Sequence, residues 1–501
     1  LIDRNELAKK TDKYLIMITF IICIAILIGG YFFYASFLER KFGADANNVT
    51  PAIAKEDGMD YVPMKLWKTF LIQFLNIAGL GPIFGAIAGA LWGPAAFLWI
   101  VFGSIFAGAV HDYFSGMLSI RMGGASISEI VSKYLGNKVH IFMTIFSVLL
   151  LILVGVVFVK GPATIIHQLT DIDTQILVVV IFIYYVLATM IPIDKLIGKL
   201  YPLFGSCLLI MAIGILSVLL IGDYQIPELT TATFTNMRLD GDDNPIFPLL
   251  FITIACGAIS GFHSTQSPMM ARCITNEKQG KIIFAGAMIT EGIVALVWAA
   301  ASMAFFGGVE ELGKTMAMEG HNAAWVVNEI CNTMLGRVGG ILAIFGVVAA
   351  PITSGDTAFR SARLTIADAF NYSQKKLSQR LIVTAPLFVV AVFLTTIDFS
   401  IIWRYFGWSN QVLATIVLWA CAVFMQQKHG NAWYVIFPAT FMTAVVVTYI
   451  MMAPIGLRLP LNIAYGIGIT TAVISCIIFM LKVKKVNPSN IQEQVLETTN
   501  D

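Results

Sequence analysis

The feature that most constrains this chain is a series of apolar runs, each long enough to cross a bilayer. A hydrocarbon core of ~30 Å takes roughly 20 helical residues. Runs of that order recur at 14–35, 68–91, 95–118, 139–160, 175–192, 202–221, 246–268, 280–306, 337–360, 379–396, 400–425, 432–453 and 461–482. Backbone polar groups in lipid must be satisfied within their own segment, so each run is expected to be a helix. The expected fold is an all-α polytopic membrane protein with about 13 transmembrane helices. Charged residues fill 12% of positions, about half the share a water-wetted surface needs.

Other classes find little support. A net charge of +2 without a basic stripe gives no footprint for nucleic acid. The seven cysteines are scattered and no pair has CxxC spacing, so neither a disulfide framework nor a metal site is expected, and no cofactor. The run 14–35 is too long for a signal-peptide core and reads as a retained helix.

Lysine and arginine gather in alternate loops, among them Arg40, Lys41, Lys55, Arg121, Lys133, Arg272, Lys281, Arg363, Lys376, Lys428 and Lys482. The positive-inside rule places that set, and the C-terminus, in the cytoplasm. An odd number of spans then puts the N-terminus outside with Arg4, Lys9, Lys10 and Lys13. Either that segment departs from the rule or a helix precedes it. The long connections 36–67, 222–245 and 307–336 have room for small surface structures, and the polar tail 487–501 is expected to be disordered.

Two runs are interrupted alike. One reads Phe74-Leu-Asn76-Ile-Ala-Gly79-Leu-Gly81-Pro82-Ile-Phe-Gly85, the other Ala255-Cys-Gly257-Ala-Ile-Ser260-Gly261-Phe-His263-Ser264-Thr265-Gln266-Ser267-Pro268. Gly costs a helix interior about 1 kcal/mol and Pro about 3 relative to Ala. The first interrupted run points outward and the second begins a set that points the other way. The chain therefore divides into 1–67 (one helix and a cytoplasmic loop), a five-helix repeat 68–221, an outer loop 222–245, an inverted five-helix repeat 246–425, and two C-terminal helices in 426–486. Matched interruptions in two inverted halves point to a transporter's central site. Close packing of small residues is the plainer reading of any single glycine.

Several segments resemble the CstA (carbon starvation protein A) family. They are Thr50-Pro-Ala-Ile with Asp57-Gly-Met-Asp-Tyr-Val-Pro63, Ile77-Ala-Gly79-Leu-Gly81-Pro82, Phe106-Ala-Gly-Ala-Val-His111-Asp112-Tyr, Gly124-Ala-Ser126 to Glu129, Phe251 to His263, and Trp403-Arg404 to Asn410-Gln411. Family members carry Gln where His111 stands. The family is similar to the amino acid–polyamine–organocation superfamily, which implies a LeuT-type inverted fold in a bacterial inner membrane. The resemblance also implies a symporter importing peptides or pyruvate during carbon limitation, driven by H+ or Na+.

Candidate residues follow from the interruptions and from ionisable groups within spans, which are expensive there and mark function by default. For substrate we select Gln73, Asn76, Gly79, Gly81, Gly257, Ser260, Gly261, His263, Ser264 and Gln266. Free N–H groups at the start of a half-helix favour a substrate carboxylate. By the family resemblance, Thr353, Ser354 and Thr357 are candidates for a cation site and Asp356 for a titrating group; an Asp356–Arg360 pair at i, i+4 is the plainer alternative. His111 with Asp112 reads as a proton relay or as a pair that orients the second broken helix, the plainer alternatives being that Asp112 caps the helix end or pairs with Arg121, and Glu291 is a further proton candidate. Lys160 reads as snorkelling to the outer interface, and the Trp403–Gln411 block as an interfacial belt with a structural or gating role.

Three other functions compete. A sensor or a channel fits the same spans. An intramembrane protease around Ser260 and His263 lacks a GxSG or HExxH signature, and no GxxxxGK[ST] loop for ATP is present. Oligomeric state is not readable from the sequence.

Overall fold

The computed structural model describes residues 17–190, 193–370, 372–374 and 376–483. Arg4, Lys9, Lys10, Lys13 and the tail 487–501 lie outside these residues. Among the described residues every regular element is helical. The spans are α1 (Ile18–Phe42), α2a (Leu66–Ile77) with α2b (Gly81–Trp92), α3 (Ala95–Arg121), α4 (Asn137–Thr170), α5 (Thr174–Met190) and α6 (Ile193–Ile221). There follow α7a (Ile246–Thr253) with α7b (Gly261–Ala271), α8 (Glu277–Phe305), α9 (Ala323–Ala369), α10 (Leu377–Thr395), α11 (Phe399–His429), α12 (Trp433–Met452) and α13 (Leu461–Lys482). Among the described residues, ten helices are long and apolar enough to cross a membrane, or eleven with the bent α2 counted as one span. The shorter apolar α5 and the broken α7 complete the set expected from the sequence.

The contacts relate α2–α6 to α7–α11 by an approximate two-fold. The most extensive packing joins α4 to the 349–369 part of α9, the third helix of one set against the third of the other. Each set's first helix leans on its own fifth helix and on the other set's second: α2a on α6 and α8, α7b on α11 and α3. α12 and α13 pack on each other, and α12 on α11.

Cross-loop bonds define two opposite faces. On one, Arg121 pairs with Glu277, Lys428 Nζ donates to Phe42 O, Lys55 Nζ to Gly123 O and Arg380 Nη1 to Met190 O. On the other, Trp92 Nε1 donates to Asn244 O, Thr19 binds Glu228, and Lys160 Nζ reaches Thr395 O and Ile397 O. The first face is the basic one of the sequence.

The boundaries differ from expectation in places. The expected 337–360 helix is the second part of the longer α9, which bends at Gly336, where φ is +58°. The expected loop 307–336 holds Val309–Met316 and the start of α9, and 36–67 holds the last turns of α1. A helix at Ile127–Leu135 opens with a capping box, Ser126 Oγ accepting from Glu129 N and Glu129 accepting from Ser126 N.

Candidate functional site

Proline sets the first break. Pro82 has no N–H and its ring opposes the carbonyl four residues back, so α2a cannot run on. Ala78 N closes α2a on Phe74 O, and Ile83 and Phe84 N–H groups restart the chain on Leu80 O. The two halves meet at 53°.

The second break begins earlier than its glycines suggest. α7a ends at Thr253, the chain is unwound over 254–260, and α7b starts at Gly261 after an extended Ser260 (φ −147°, ψ 126°). Exposed backbone inside a membrane needs partners from the protein. They come from two helices. Trp99 Nε1 donates to Ile254 O at 3.0 Å and Ser104 Oγ to Gly257 O at 3.1 Å, both from α3. From α11, Gln411 Nε2 donates to Ile259 O at 2.9 Å, while Asn410 Oδ1 accepts from Phe262 N at 2.7 Å. Asn410 Nδ2 also donates to Ser260 Oγ at 2.9 Å. Asn410 and Gln411 are fully buried in mid-helix and hold the second break open, while Tyr405 of the same block is exposed.

The two breaks touch. A Cβ on Gly81 would lie 2.4 Å from Cys256 Sγ, and one on Gly85 would lie 2.8 Å from Thr253 O. Gly261 has the α11 backbone against it, with Asn410 O 2.4 Å from a Cβ placed there. Gly79 faces Phe158 and Gly257 faces Ala295. All four selected glycines are thus close-approach positions between helices.

The polar run 263–267 lies in helical α7b, and three hydroxyls turn back on it: Ser264 to Gly261 O, Thr265 to Phe262 O and Ser267 to His263 O. Gln266 Nε2 donates to Thr265 Oγ1 at 2.9 Å. On α2a, Gln73 and Asn76 stand one turn apart, fully buried, with all four amide heteroatoms unpartnered.

The ionisable candidates separate into two groups. His111, Asp112, His263 and Glu291, from α3, α7b and α8, form one chain. His111 Nδ1 lies 2.7 Å from Asp112 Oδ1, His263 Nδ1 2.9 Å from Asp112 Oδ2, and His263 Nε2 3.4 Å from Glu291 Oε2. All four are fully buried. Arg121 pairs with Glu277, so the alternative of an Asp112–Arg121 pair is not what forms. The second group centres on Asp356 of α9, whose Oδ2 accepts from Tyr184 Oη at 2.9 Å and lies 2.5 Å from Tyr201 Oη. Neither tyrosine was singled out in the sequence. Arg360 Nη2 donates to Ala188 O at 2.8 Å. Ser354 Oγ bridges to Leu75 O of α2a at 2.9 Å, while Thr353 and Thr357 hydroxyls donate to Ala350 O and Ser354 O. Among the described residues no group of His, Cys, Asp and Glu has the arrangement of a metal site.

The profile of the family described as "Carbon starvation protein CstA" matches residues 15–161, 161–338 and 324–449. The chain belongs to the CstA family. It is 27% identical over 499 residues to the peptide transporter CstA of Bacillus subtilis, covering 79% of this chain and 83% of that one. It is 26% identical over 338 residues to the pyruvate/proton symporter BtsT of Escherichia coli, covering 55% of this chain and 47% of that one. Among solved structures, a Na+-coupled sialic acid symporter in a substrate-bound outward-open state aligns with a TM-score of 0.53 at 14% identity, over 92% of this chain and 99% of that one. That likeness bears on the fold, which is the LeuT-type inverted repeat.

Proposed function

We propose that this member of the CstA family is a secondary active transporter of the bacterial inner membrane, importing peptides or pyruvate by alternating access around its two broken helices. The observation that carries the reading is the meeting of the two breaks, Gly81 against Cys256, at corresponding positions of the two repeats. Half-helix ends at such a crossing present N–H groups and dipole ends to a small anion. The buried unpartnered amides of Gln73 and Asn76 add donors and acceptors one turn before the first break. A substrate carboxylate at α2b and a carbonyl at these amides suit both a short peptide and pyruvate. The names of the relatives point the same way. H+ or Na+ drives the cycle, and the basic face with the C-terminus lies in the cytoplasm.

A protease reading is not favoured by the contacts. Ser260 Oγ engages Asn410, and His263 Nε2, the nitrogen that would have to take the serine proton, faces Glu291 instead. The test is uptake of labelled pyruvate and a labelled dipeptide into proteoliposomes with H+ and Na+ gradients imposed in turn. Accumulation that collapses with one gradient supports symport and names the ion. Saturable uptake of neither solute under any gradient refutes the transporter reading, and conductance without saturation would favour a channel.

A further inference from the structure

Two histidines, two carboxylates and their proton count carry an inference about coupling. Both oxygens of Asp112 face an imidazole Nδ1, from His111 at 2.7 Å and from His263 at 2.9 Å. A carboxylate accepts from both, so each Nδ1 carries its hydrogen and Asp112 is the fixed anion of the chain. The other nitrogen of His263 faces Glu291 Oε2 at 3.4 Å, beyond ordinary hydrogen-bond length, and neither Glu291 oxygen has a hydrogen-bond partner. Among the described residues no lysine or arginine pairs with either carboxylate; their ion-pair neighbours are His111 and His263.

The polar groups on the elements packed against α7b and α8 are mostly uncharged. They are the Cys256 thiol in the second break and the amides of Asn410 and Gln411 on α11, which packs on α7b, with the Gln73 and Asn76 amides on α2a, which packs against both α7b and α8. The acid of α9, Asp356, accepts from Tyr184 and Tyr201 at Oδ2, and its Oδ1 has no hydrogen-bond partner. With one imidazolium, taken as His263 because it lies between the two carboxylates, and with His111 neutral and Asp112 ionised, the chain is neutral only while Glu291 holds a proton. Loss of that proton leaves one uncompensated negative charge in a dry interior, which is costly. It also turns Glu291 into an acceptor for His263 Nε2–H.

We propose that Glu291 is the seat of the coupling proton and that His263 transmits its release to the second break. The proton leaves the Glu291 carboxyl for water on the side then open, and His263 keeps both of its own hydrogens. The new Nε2–H to carboxylate bond draws the start of α7b, two residues before His263 at Gly261, toward α8. Asp356, which accepts tyrosine hydroxyls, is not the seat. This rests on the transporter reading of the same site.

The test uses Glu291→Gln, which imitates the protonated acid, and Asp356→Asn, in the full chain. For one proton per substrate, a one-unit pH gradient supports about tenfold accumulation. With Glu291→Gln, pH-driven accumulation of pyruvate or dipeptide falls to a ratio of about 1 while counterflow stays within about threefold of the unsubstituted protein. Glu291→Asp restores accumulation with a displaced pH profile, which a merely structural role does not predict. Infrared difference spectra between acid and alkaline pH supply a readout that needs no substrate. The carbonyl stretch of a protonated buried acid disappears in Glu291→Gln and persists in Asp356→Asn. Retained pH-driven accumulation in Glu291→Gln, or an infrared band lost only in Asp356→Asn, overturns the proposal. Absence of counterflow in the unsubstituted protein overturns the transporter reading instead, and the infrared band still decides the proton seat.

Discussion

Adding one methyl group at Gly81 tests whether the two breaks meet as described. A Cβ there would lie 2.3 Å from Cys256 Cβ and 2.4 Å from its Sγ. Carbon atoms in contact keep about 3.5–4.0 Å, so the shortfall exceeds ~1 Å. Rotating the thiol relieves only the sulfur, because Cβ is fixed to its own backbone. Gly81→Ala therefore has to push the two unwound segments apart, and overpacking of this kind costs about 1–3 kcal/mol. Cys256→Gly deletes both obstructing atoms and leaves Cys256 Cα at 3.6 Å from the added carbon, an ordinary contact. The single Cys256→Gly change costs about 1 kcal/mol through added backbone freedom. The double variant should recover most of the Gly81→Ala loss, a coupling of about 1–3 kcal/mol. Thermal melting in detergent measures stability, and dipeptide or pyruvate uptake measures function, for all four proteins of the cycle. Gly257→Ala, whose Cβ meets Ala295 on α8, serves as the control that Cys256→Gly should not rescue. Simple additivity of Gly81→Ala and Cys256→Gly in both readouts would refute the contact.

Other substitutions probe the supports of the site. Asn410→Ala leaves Phe262 N–H buried without a partner and the Ser260 hydroxyl with only the Cys256 thiol, and should cost about 1–3 kcal/mol in melting experiments, with a raised KM for uptake. Asn410→Asp keeps the acceptor for Phe262 N and should retain more of the stability; equal melting of both variants would contradict the capping role. Tyr201→Phe removes the hydroxyl beside Asp356 Oδ2 and Thr353 O and should destabilise by about 1–3 kcal/mol, more than Tyr184→Phe, whose hydroxyl is only part-buried. On the basic face, Arg272 joins four elements: Nη2 to Asp368 at 3.7 Å, Nε to Gly124 O at 2.9 Å, its guanidinium over the Tyr61 ring, and its carbonyl accepting from Val62 N. Asp368 is partly exposed, so Asp368→Asn should change stability by less than ~1 kcal/mol.

How much of this was legible beforehand depended on whether the cause was local. The first break was readable because Pro82 stops a helix by its own covalent structure. The second was placed to within a residue of its start, but what holds it was hidden: the unwinding from Ile254 is held by Trp99, Ser104 and Gln411, more than a hundred residues away in sequence. The same distance hid the chain from His111 to Glu291. Each member stood out as an ionisable group in an apolar run, but only the fold brings α3, α7b and α8 together. Tyr184 and Tyr201 gave no signal, since a tyrosine in a span is unremarkable until its hydroxyl has a partner. The helix Ile127–Leu135 did carry one, Ser126 with Glu129 before apolar residues, but it is too short to register in a search for spans.

Cys256 offers the most direct measurement, because it stands where the two broken helices touch and is 2% exposed. The pocket beside it, lined also by Gly81, Ile252, Thr253, Ala255, Trp403, Phe406 and Gly407, holds only about 10 Å³, so a maleimide reaches the thiol only when the two breaks part during transport. With the other six cysteines replaced, a membrane-impermeant maleimide should alkylate Cys256 from the side that opens. A transported dipeptide or pyruvate should slow the reaction, and alkylation should block uptake. A labelling rate indifferent to every transported solute, with uptake intact after labelling, would contradict a substrate site at the crossing of the two breaks.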